Sequence, residues 1–315
     1  KNLHKIIIVL SLLVLFGIGL WIYICPLCNE PLPAPEPVPA PEPVPAPTPE
    51  SVNQGGSTLA DHNTYIAFSP DLVEFTDGQL VAESASVPAV LVNGDDIWVY
   101  FVDALKAHQD DGNNLGYKFS SDGGENWSER AMIEIEGLEE GIEPVDPTLV
   151  LLEDGRIRLY YYDFPLMDRH DESEIYAAIS EDGIHFKVES KVLTLDGTKT
   201  DPSVVKLGDT WFMYYAAGSF GENGGIGLAT SKDGLNFQDQ GQINSTELIN
   251  IPGAIIVDEK IKLYSCLSAS GTSVDGINFE TDSTRISKNV VGCDPSPSQY
   301  KDGYIMVYKD FKVTP

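Results

Sequence analysis

The chain has 315 residues, enough for one large β domain with additional segments, and its 42% apolar content suffices for a buried core. Acidic residues outnumber basic residues 48 to 20, and the resulting net charge of -28 repels phosphate backbones, which excludes nucleic acid as a partner. The composition indicates no cofactor, but so many carboxylates leave a structural or funnel-bound Ca²⁺ open as an alternative.

Residues 1–28 are predicted to form an N-terminal membrane anchor. The run from Ile6 to Ile24 carries no charge and has the length of one membrane-spanning helix, with Trp21 and Tyr23 where interfacial aromatic residues belong. Two lysines precede the run, so the positive-inside rule predicts a single-pass protein of the cell membrane whose C-terminal part lies on the extracytoplasmic side. A cleaved signal peptide is the alternative.

Residues 29–61 are predicted to form a proline-rich stalk followed by a flexible joint. Proline occupies every second position from Pro31 to Pro49, a pattern that favours polyproline II and not helix or sheet. At ~3.1 Å per residue this segment would span about 60 Å. The sequence SVNQGGST then supplies the joint.

The body, residues 62–315, repeats a short acidic phrase about every 50 residues. The five copies are SPDLVEF, SSDGGENW, SEDGIHF, SKDGLNF and SVDGINF, which begin at Ser69, Ser120, Ser180, Ser231 and Ser273. A second phrase alternates with the first and contains two apolar runs around a Gly/Asp turn, as in VDPTLVLLEDGRIRLYYYD, which predicts a β-hairpin. Four strands per unit and about 50 residues per unit are typical of a propeller blade.

The fold class predicted is therefore all-β, a five-bladed β-propeller preceded by the anchor and the linker. The last unit has only its first two strands, and TYIAFSPDLVEF at the start of the body has only the last two. Together they would complete one blade, so that N- and C-terminal strands close the ring and leave no exposed sheet edge. Such a propeller is expected to be monomeric.

Strand order predicts which phrase lies at the mouth of the central funnel. The acidic phrase occupies the turn between third and fourth strands, on the bottom face, where its glycine permits the turn and its aspartate binds the turn's amides. The Asp-Pro phrase begins each inner strand at the opposite face and brings Asp146, Asp201 and Asp294 to the mouth. Loops at the same mouth would add Asp103, Asp163, Arg169, His170, Glu222 and Asn223.

Converging carboxylates suit general acid–base chemistry on a glycosidic bond, or binding of sugar hydroxyls. The structural alternative is that each Asp-Pro aspartate only caps a strand by binding neighbouring backbone amides. Cys266 and Cys293 are candidates for a disulfide between neighbouring blades.

The DP-headed strands, together with YYAAGSFGENGGIGLATSKDGLNF, resemble the five-bladed propeller glycosidases, which include arabinanases, levansucrases and invertases and families 43, 32 and 130 of the glycoside hydrolases. SSDGGENW is also similar to the Asp-box of sialidases. The family-43 resemblance implies a base in the first blade, an aspartate that tunes the acid in the second and a glutamic acid in the third. The matching positions here carry Val87, Asp146 and Asp201.

The sequence thus predicts a membrane-anchored extracellular glycoside hydrolase-like protein that acts on or binds oligo- or polysaccharide. Asp146 and Asp201 would be the paired catalytic carboxylates, assisted by Asp294 or Asp103. Asp163, Arg169, His170, Glu222 and Asn223 would contact the substrate. The main alternative is a non-catalytic propeller that binds carbohydrate or protein at the cell surface, which the Val87 and Asp201 substitutions favour.

Overall fold

The computed structural model describes residues 59–106, 114–164, 172–218, 224–245, 247–248, 250–266, 269–282 and 292–311. Among these residues there is no helix of the length and apolarity needed to cross a membrane. The anchor and the stalk expected from the sequence lie outside the described residues, so both stay predictions.

The described chain forms five sheets of four antiparallel strands, one of which gains a fifth, parallel edge strand, and this confirms the five-bladed β-propeller. Strands are numbered along the chain, after a short 3₁₀ turn at Leu59–Asp61. Blade 1 contains β3 (Ala85–Asn93), β4 (Asp96–Asp103), β5 (Leu115–Ser120) and β6 (Ala131–Met132). Blade 2 contains β8 (Pro144–Leu151), β9 (Ile157–Asp163), β10 (Glu172–Ser180) and β11 (His185–Asp196), and β7 (Glu134–Glu136) adds to its outer edge in parallel.

The remaining blades follow the same order from the inner strand outwards. Blade 3 contains β12 (Lys199–Leu207), β13 (Thr210–Ala217), β14 (Gly225–Ser231) and β15 (Gln238–Gln242). Blade 4 contains β16 (Pro252–Val257), β17 (Lys260–Ser265), β18 (Ser270–Ser273) and β19 (Glu280–Thr281). Blade 5 contains β20 (Cys293–Tyr300), β21 (Gly303–Phe311), β1 (His62–Ser69) and β2 (Gln79–Glu83).

Blade 5 is assembled from both ends of the described chain, as the sequence predicted. Strand β1 pairs with β21 along its whole length, from His62 opposite Phe311 to Ser69 opposite Tyr304. The inner strands β3, β8, β12, β16 and β20 contact one another in ring order, and β20 contacts β3. This pairing closes the ring and covers the edges that the two half-blades would otherwise expose.

The acidic phrases form the bottom turns that were predicted, and their residues bind the turn itself. In SEDGIHF, Ser180 Oγ accepts the Gly183 amide at 2.9 Å, and Asp182 Oδ1 accepts the amides of Ile184 and His185 at 2.9 Å each. Gly183 has a φ of +79°, which a glycine adopts without strain. These amide bonds, together with the imidazole of His185, hold the pKa of Asp182 well below its usual value despite partial desolvation. The serine and aspartate of this acidic phrase therefore stabilise the turn between the third and fourth strands.

A tyrosine on the second strand of four blades joins each of these blades to the turn of the next. The tyrosine hydroxyls donate to backbone carbonyls: Tyr100 to Gly183, Tyr160 to Gly234, Tyr214 to Gly276 and Tyr264 to Leu72, at 2.8 to 3.0 Å. All four rings are fully buried in apolar clusters between adjacent blades. The core of the propeller thus lies between the blades, and these bonds fix the spacing of neighbouring blades.

We expect Tyr160→Phe to lower the free energy of unfolding by about 1–2 kcal/mol, because the Gly234 carbonyl would lose its buried hydroxyl donor while the apolar packing stays. Urea denaturation followed by tryptophan fluorescence measures this change. Tyr117→Phe is the control, since Tyr117 is half-buried and makes no bond of this kind among the described residues. Equal stability of the two variants would contradict the inter-blade role.

A disulfide joins Cys266 at the end of β17 to Cys293 at the start of β20, the link between neighbouring blades that the sequence left open. Both cysteines are buried beside Ala216 and Ile251. The link closes a loop with a sequence separation of 27 and includes the residue directly before Asp294. It therefore fixes the start of the fifth inner strand against blade 4.

Reduction of this disulfide should lower the stability of the propeller by about 3.5 kcal/mol, the chain-entropy value for a loop of this size. Thermal unfolding with and without dithiothreitol measures the effect. A Cys266→Ser/Cys293→Ser double variant serves as the control, because its unfolding temperature should already be low and should not respond to the reductant. A similar response of this variant would assign the effect to other cysteines.

Candidate functional site

Five equivalent residue pairs surround the central channel where the inner strands begin. Each pair ends in proline, and the residues before the prolines are Val87, Asp146, Asp201, Ile251 and Asp294. Together with Thr148, Ser203 and Ser296 they line an open cavity of about 30 Å³, room for about one water molecule. The three Asp-Pro aspartates therefore converge on one site, as the sequence predicted.

Four of these positions share a backbone bulge that orients their side chains towards the channel. The strand register shifts across each X-Pro pair in β3, β8, β12 and β20. The residue before proline has a φ of +52° at Asp146, +53° at Asp201, +53° at Asp294 and +45° at Val87. Aspartate tolerates this left-handed conformation, whereas a β-branched residue does so only under strain. Val87 thus keeps the backbone of an aspartate position without its carboxylate.

Asp146 and Asp201 lie next to each other on adjacent blades. Asp146 Oδ2 accepts the backbone amide of Asp201 at 3.3 Å, and the Thr200 hydroxyl donates to Asp201 Oδ2 at 2.5 Å. Burial, followed by the charges of Asp201 and Asp294, raises the pKa of Asp146 well above its usual value. Burial and then the charge of Asp294 raise the pKa of Asp201 to about 7. Both groups are suited to hold a proton near neutral pH.

Asp294 differs from the other two because it has a cation beside it. Its Oδ2 lies 2.6 Å from the Lys309 ammonium, and the two side chains are 2% and 13% exposed. Burial lowers the pKa of Lys309, but the carboxylates of Asp294, Asp201 and Asp146 outweigh it, so that its pKa lies above the usual value. Lys309 is therefore charged at neutral pH and forms a buried ion pair within the site.

His62 lies next to this ion pair and extends the site towards blade 1. Its Nδ1 is 2.8 Å from the hydroxyl of Ser86, which directly precedes Val87. Burial and then the Lys309 charge lower the pKa of His62 to about 4, and the neighbouring aspartates Asp294 and Asp61 oppose the shift. The imidazole is consequently neutral at pH 7.

Two of the predicted loop aspartates lie at the ends of second strands and bind backbone or arginine. Asp103 is 1% exposed, pairs with Arg130 at 2.8 Å and accepts the Leu105 amide at 2.9 Å. Asp163 Oδ1 accepts the Glu143 amide at 3.0 Å. Both stand beside the start of an inner strand, since Asp103 pairs with Ala85 and Asp163 with Pro144. Arg169, His170, Glu222 and Asn223 lie outside the described residues.

Sequence reasoning missed Lys309, His62 and Arg130 as parts of this region. A lysine inside the strand motif VYKDF was a signal for Lys309, since a charge in a buried strand needs a partner. In the described part of the chain, no group of three or more His, Cys, Asp or Glu side chains is arranged to hold a metal ion. The cation that the described residues place beside Asp294 is the Lys309 ammonium.

No protein-family model and no curated protein sequence matches this chain. Solved structures do match it. Zg3597, a family 117 glycoside hydrolase of the marine bacterium Zobellia galactanivorans, superposes with a TM-score of 0.52 at 15% identity, over 81% of this chain and 92% of that one. The α-L-arabinanase of Penicillium chrysogenum, solved with arabinobiose, gives 0.51 at 14% identity over 78% and 79%. A thermostable family-43 glycoside hydrolase gives 0.50 at 14% identity over 74% and 86%.

The chain has the fold of the five-bladed propeller glycoside hydrolases. This confirms, for the architecture, the resemblance noted from the DP-headed strands. At 14 to 15% identity the likeness is one of fold, and the roles of individual residues depend on the site itself.

Proposed function

We propose that the protein is a glycoside hydrolase-like propeller that acts on or binds oligo- or polysaccharide at the mouth of its channel. The observation that carries this proposal is the neighbouring pair Asp146 and Asp201, which lines the channel of a propeller and whose pKa values are raised. A carboxylic acid that keeps its proton near pH 7 is what a glycosidase needs to protonate the leaving oxygen. Asp201 would be this acid, and Asp146 would tune it.

The expected location follows from the N-terminal segments and from the disulfide. An uncharged run at residues 6–24 would anchor the protein in a membrane, and the proline-rich stalk would hold the propeller away from it. The Cys266–Cys293 disulfide suits an oxidising, extracytoplasmic compartment. Protease digestion of intact cells should remove the propeller. Protection of the propeller until the cells are lysed would contradict this location.

The experiment that tests hydrolysis compares wild type with Asp201→Asn on a panel of oligosaccharides that begins with arabino- and xylo-oligosaccharides. We expect turnover only for wild type, with kcat/KM falling as pH rises above about 7, because the acid then loses its proton. Substitution of one catalytic acid typically costs about 10²–10⁴-fold in rate. Equal turnover of both proteins would remove Asp201 from this role.

A non-catalytic binding propeller is the second candidate. The observation that favours it is Val87, which leaves the first-blade position without a carboxylate although its backbone matches that of the aspartate positions. A glycan array separates the candidates. Retained binding by wild type and Asp201→Asn, with no turnover of any bound glycan, would establish the binding module.

A further inference from the structure

The five-fold ring gives Asp294 a special position relative to Asp201. The X-Pro residues of blades 1, 2, 3 and 5 share one backbone conformation at one level of the channel. Counted around the ring, blade 1 and blade 5 are each two blades away from blade 3. In a symmetric ring, the positions of Val87 and Asp294 are therefore equally far from Asp201. Both lie across the channel from Asp201.

The three aspartates of the channel also differ in their electrostatic surroundings. Asp146 and Asp201 have raised pKa values and hold protons near neutral pH, whereas Asp294 lies 2.6 Å from a charged ammonium. An adjacent cation favours the ionised form of a carboxyl group. The channel consequently offers a proton donor on blade 3 and, on blade 5, an aspartate in a buried ion pair with Lys309.

Space and unfilled hydrogen-bonding capacity point to water beside Asp294. Apart from the ion pair with Lys309, neither Asp294 oxygen has a partner in the described residues, although the side chain is almost fully buried. A buried carboxylate oxygen without a donor is costly and is commonly satisfied by water. The cavity of about 30 Å³ that Asp294 lines has the volume for one molecule.

We propose that Asp294, which forms a buried ion pair with Lys309, is the general base that activates water in this protein, at a channel where the Val87 position has no carboxylate. This role rests on the proposed hydrolase function. Asp201 donates its proton to the glycosidic oxygen, and the bond between that oxygen and the anomeric carbon breaks with its electron pair. The water oxygen bonds to the anomeric carbon, and Asp294 takes the proton that the water gives up. The products are an alcohol and a sugar of inverted configuration.

Asp294→Asn is the first test, on whichever oligosaccharide wild type cleaves. We expect kcat/KM to fall by about 10²–10⁴-fold, as for loss of a general base. Asp282→Asn is the matched control. Asp282 forms a 2.8 Å ion pair with Lys262 in blade 4, away from the residues that line the channel, so this variant should keep its rate within a factor of a few.

Chemical rescue distinguishes a base from a merely structural residue. With an aryl glycoside of the same sugar, azide should raise the rate of Asp294→Ala at least tenfold over its rate without azide. Azide attacks the anomeric carbon without needing a base, and the aryloxide leaves. The product should be the glycosyl azide of inverted configuration, detected by NMR. Lys309→Met should move the acidic limb of the kcat/KM profile to higher pH, which a change in packing alone would not do.

Folding of the variants is checked with Asp294→Asn/Lys309→Met, which removes both charges and leaves neither alone in the interior. This variant should be folded by near-ultraviolet circular dichroism and still be inactive. Active wild type together with active Asp294→Asn, or a product of retained configuration, overturns the base role and leaves the hydrolase function standing. No turnover by wild type overturns both.

Discussion

Replacing Asp201 with asparagine should raise the stability of the protein at pH 8 although it removes the proposed acid. The folded pKa of about 7 lies above the ordinary value of 3.8, so the folded protein holds a proton that the unfolded chain has already released. The free energy of unfolding therefore falls as pH rises from about 4 to about 7. An asparagine side chain does not titrate in this range, so Asp201→Asn should gain roughly 2–4 kcal/mol over wild type at pH 8 and little at pH 4.

Urea denaturation at pH 4, 6 and 8 measures this difference. Asp233→Asn is the control with the opposite sign, because backbone amides and the Asn236 side chain hold the pKa of Asp233 below its usual value in its turn. In Asp233→Asn the side-chain oxygen can still accept the amides of Leu235 and Asn236, but the new amide nitrogen cannot accept the 2.7 Å bond that Asn236 Nδ2 donates to Asp233 Oδ2. Loss of this bond and of the charge should cost about 1 kcal/mol at pH 8. A pH-independent effect of Asp201→Asn would show that Asp201 is not held protonated.

Replacing Lys309 with methionine should destabilise the propeller more than loss of the Tyr160 hydroxyl or of the Asp233 carboxylate. Asp294 would remain buried without its cation, and removing one partner of a buried ion pair typically costs about 3–5 kcal/mol. The cost should shrink at pH 5, where the unpaired carboxyl group can take up a proton. Thermal and urea unfolding of Lys309→Met at pH 5 and pH 8 measure both effects.

The double-mutant cycle with Asp294→Asn separates charge from packing. If the penalty comes from the uncompensated charge, Asp294→Asn/Lys309→Met should recover most of the stability that Lys309→Met loses. Additive losses in the double variant would mean instead that Lys309 acts through the packing of its long side chain. Lys262→Met is the matched control, because its partner Asp282 is partly exposed and water can solvate the carboxylate that remains.

The repeats made most of the fold predictable. Two phrases alternating about every 50 residues define four strands per blade, and the half-units at either end of the body define how the ring closes. Strand order also predicted that Asp182 lies in a bottom turn and that Asp146 lies at the channel, as the structure shows. These results depend only on the alternation of apolar residues and on turn chemistry, both of which are local properties of the sequence.

The charge balance of the channel was not predictable in this way. Lys309 lies 15 positions after Asp294 on a different strand. Its place inside the strand motif VYKDF signals that it needs a partner, but the sequence does not tell that this partner is Asp294. The pairing of Asp103 with Arg130 was equally hidden, since Arg130 lies in a connection before β6. Side-chain partners of this kind depend on three-dimensional packing and on local bulges, which break the simple alternation of faces.

Closure of blade 5 has a consequence for the order in which the protein acquires its structure. Strand β1 leaves the ribosome early, but its partner β21 ends at Phe311, so β1 waits for nearly the whole body to be synthesised. Asp294 and Lys309 arrive with the same late strands. Contacts between distant parts of a chain form slowly. The closed ring and its charged centre therefore depend on the same strand, and a chain that lacks β21 would have neither.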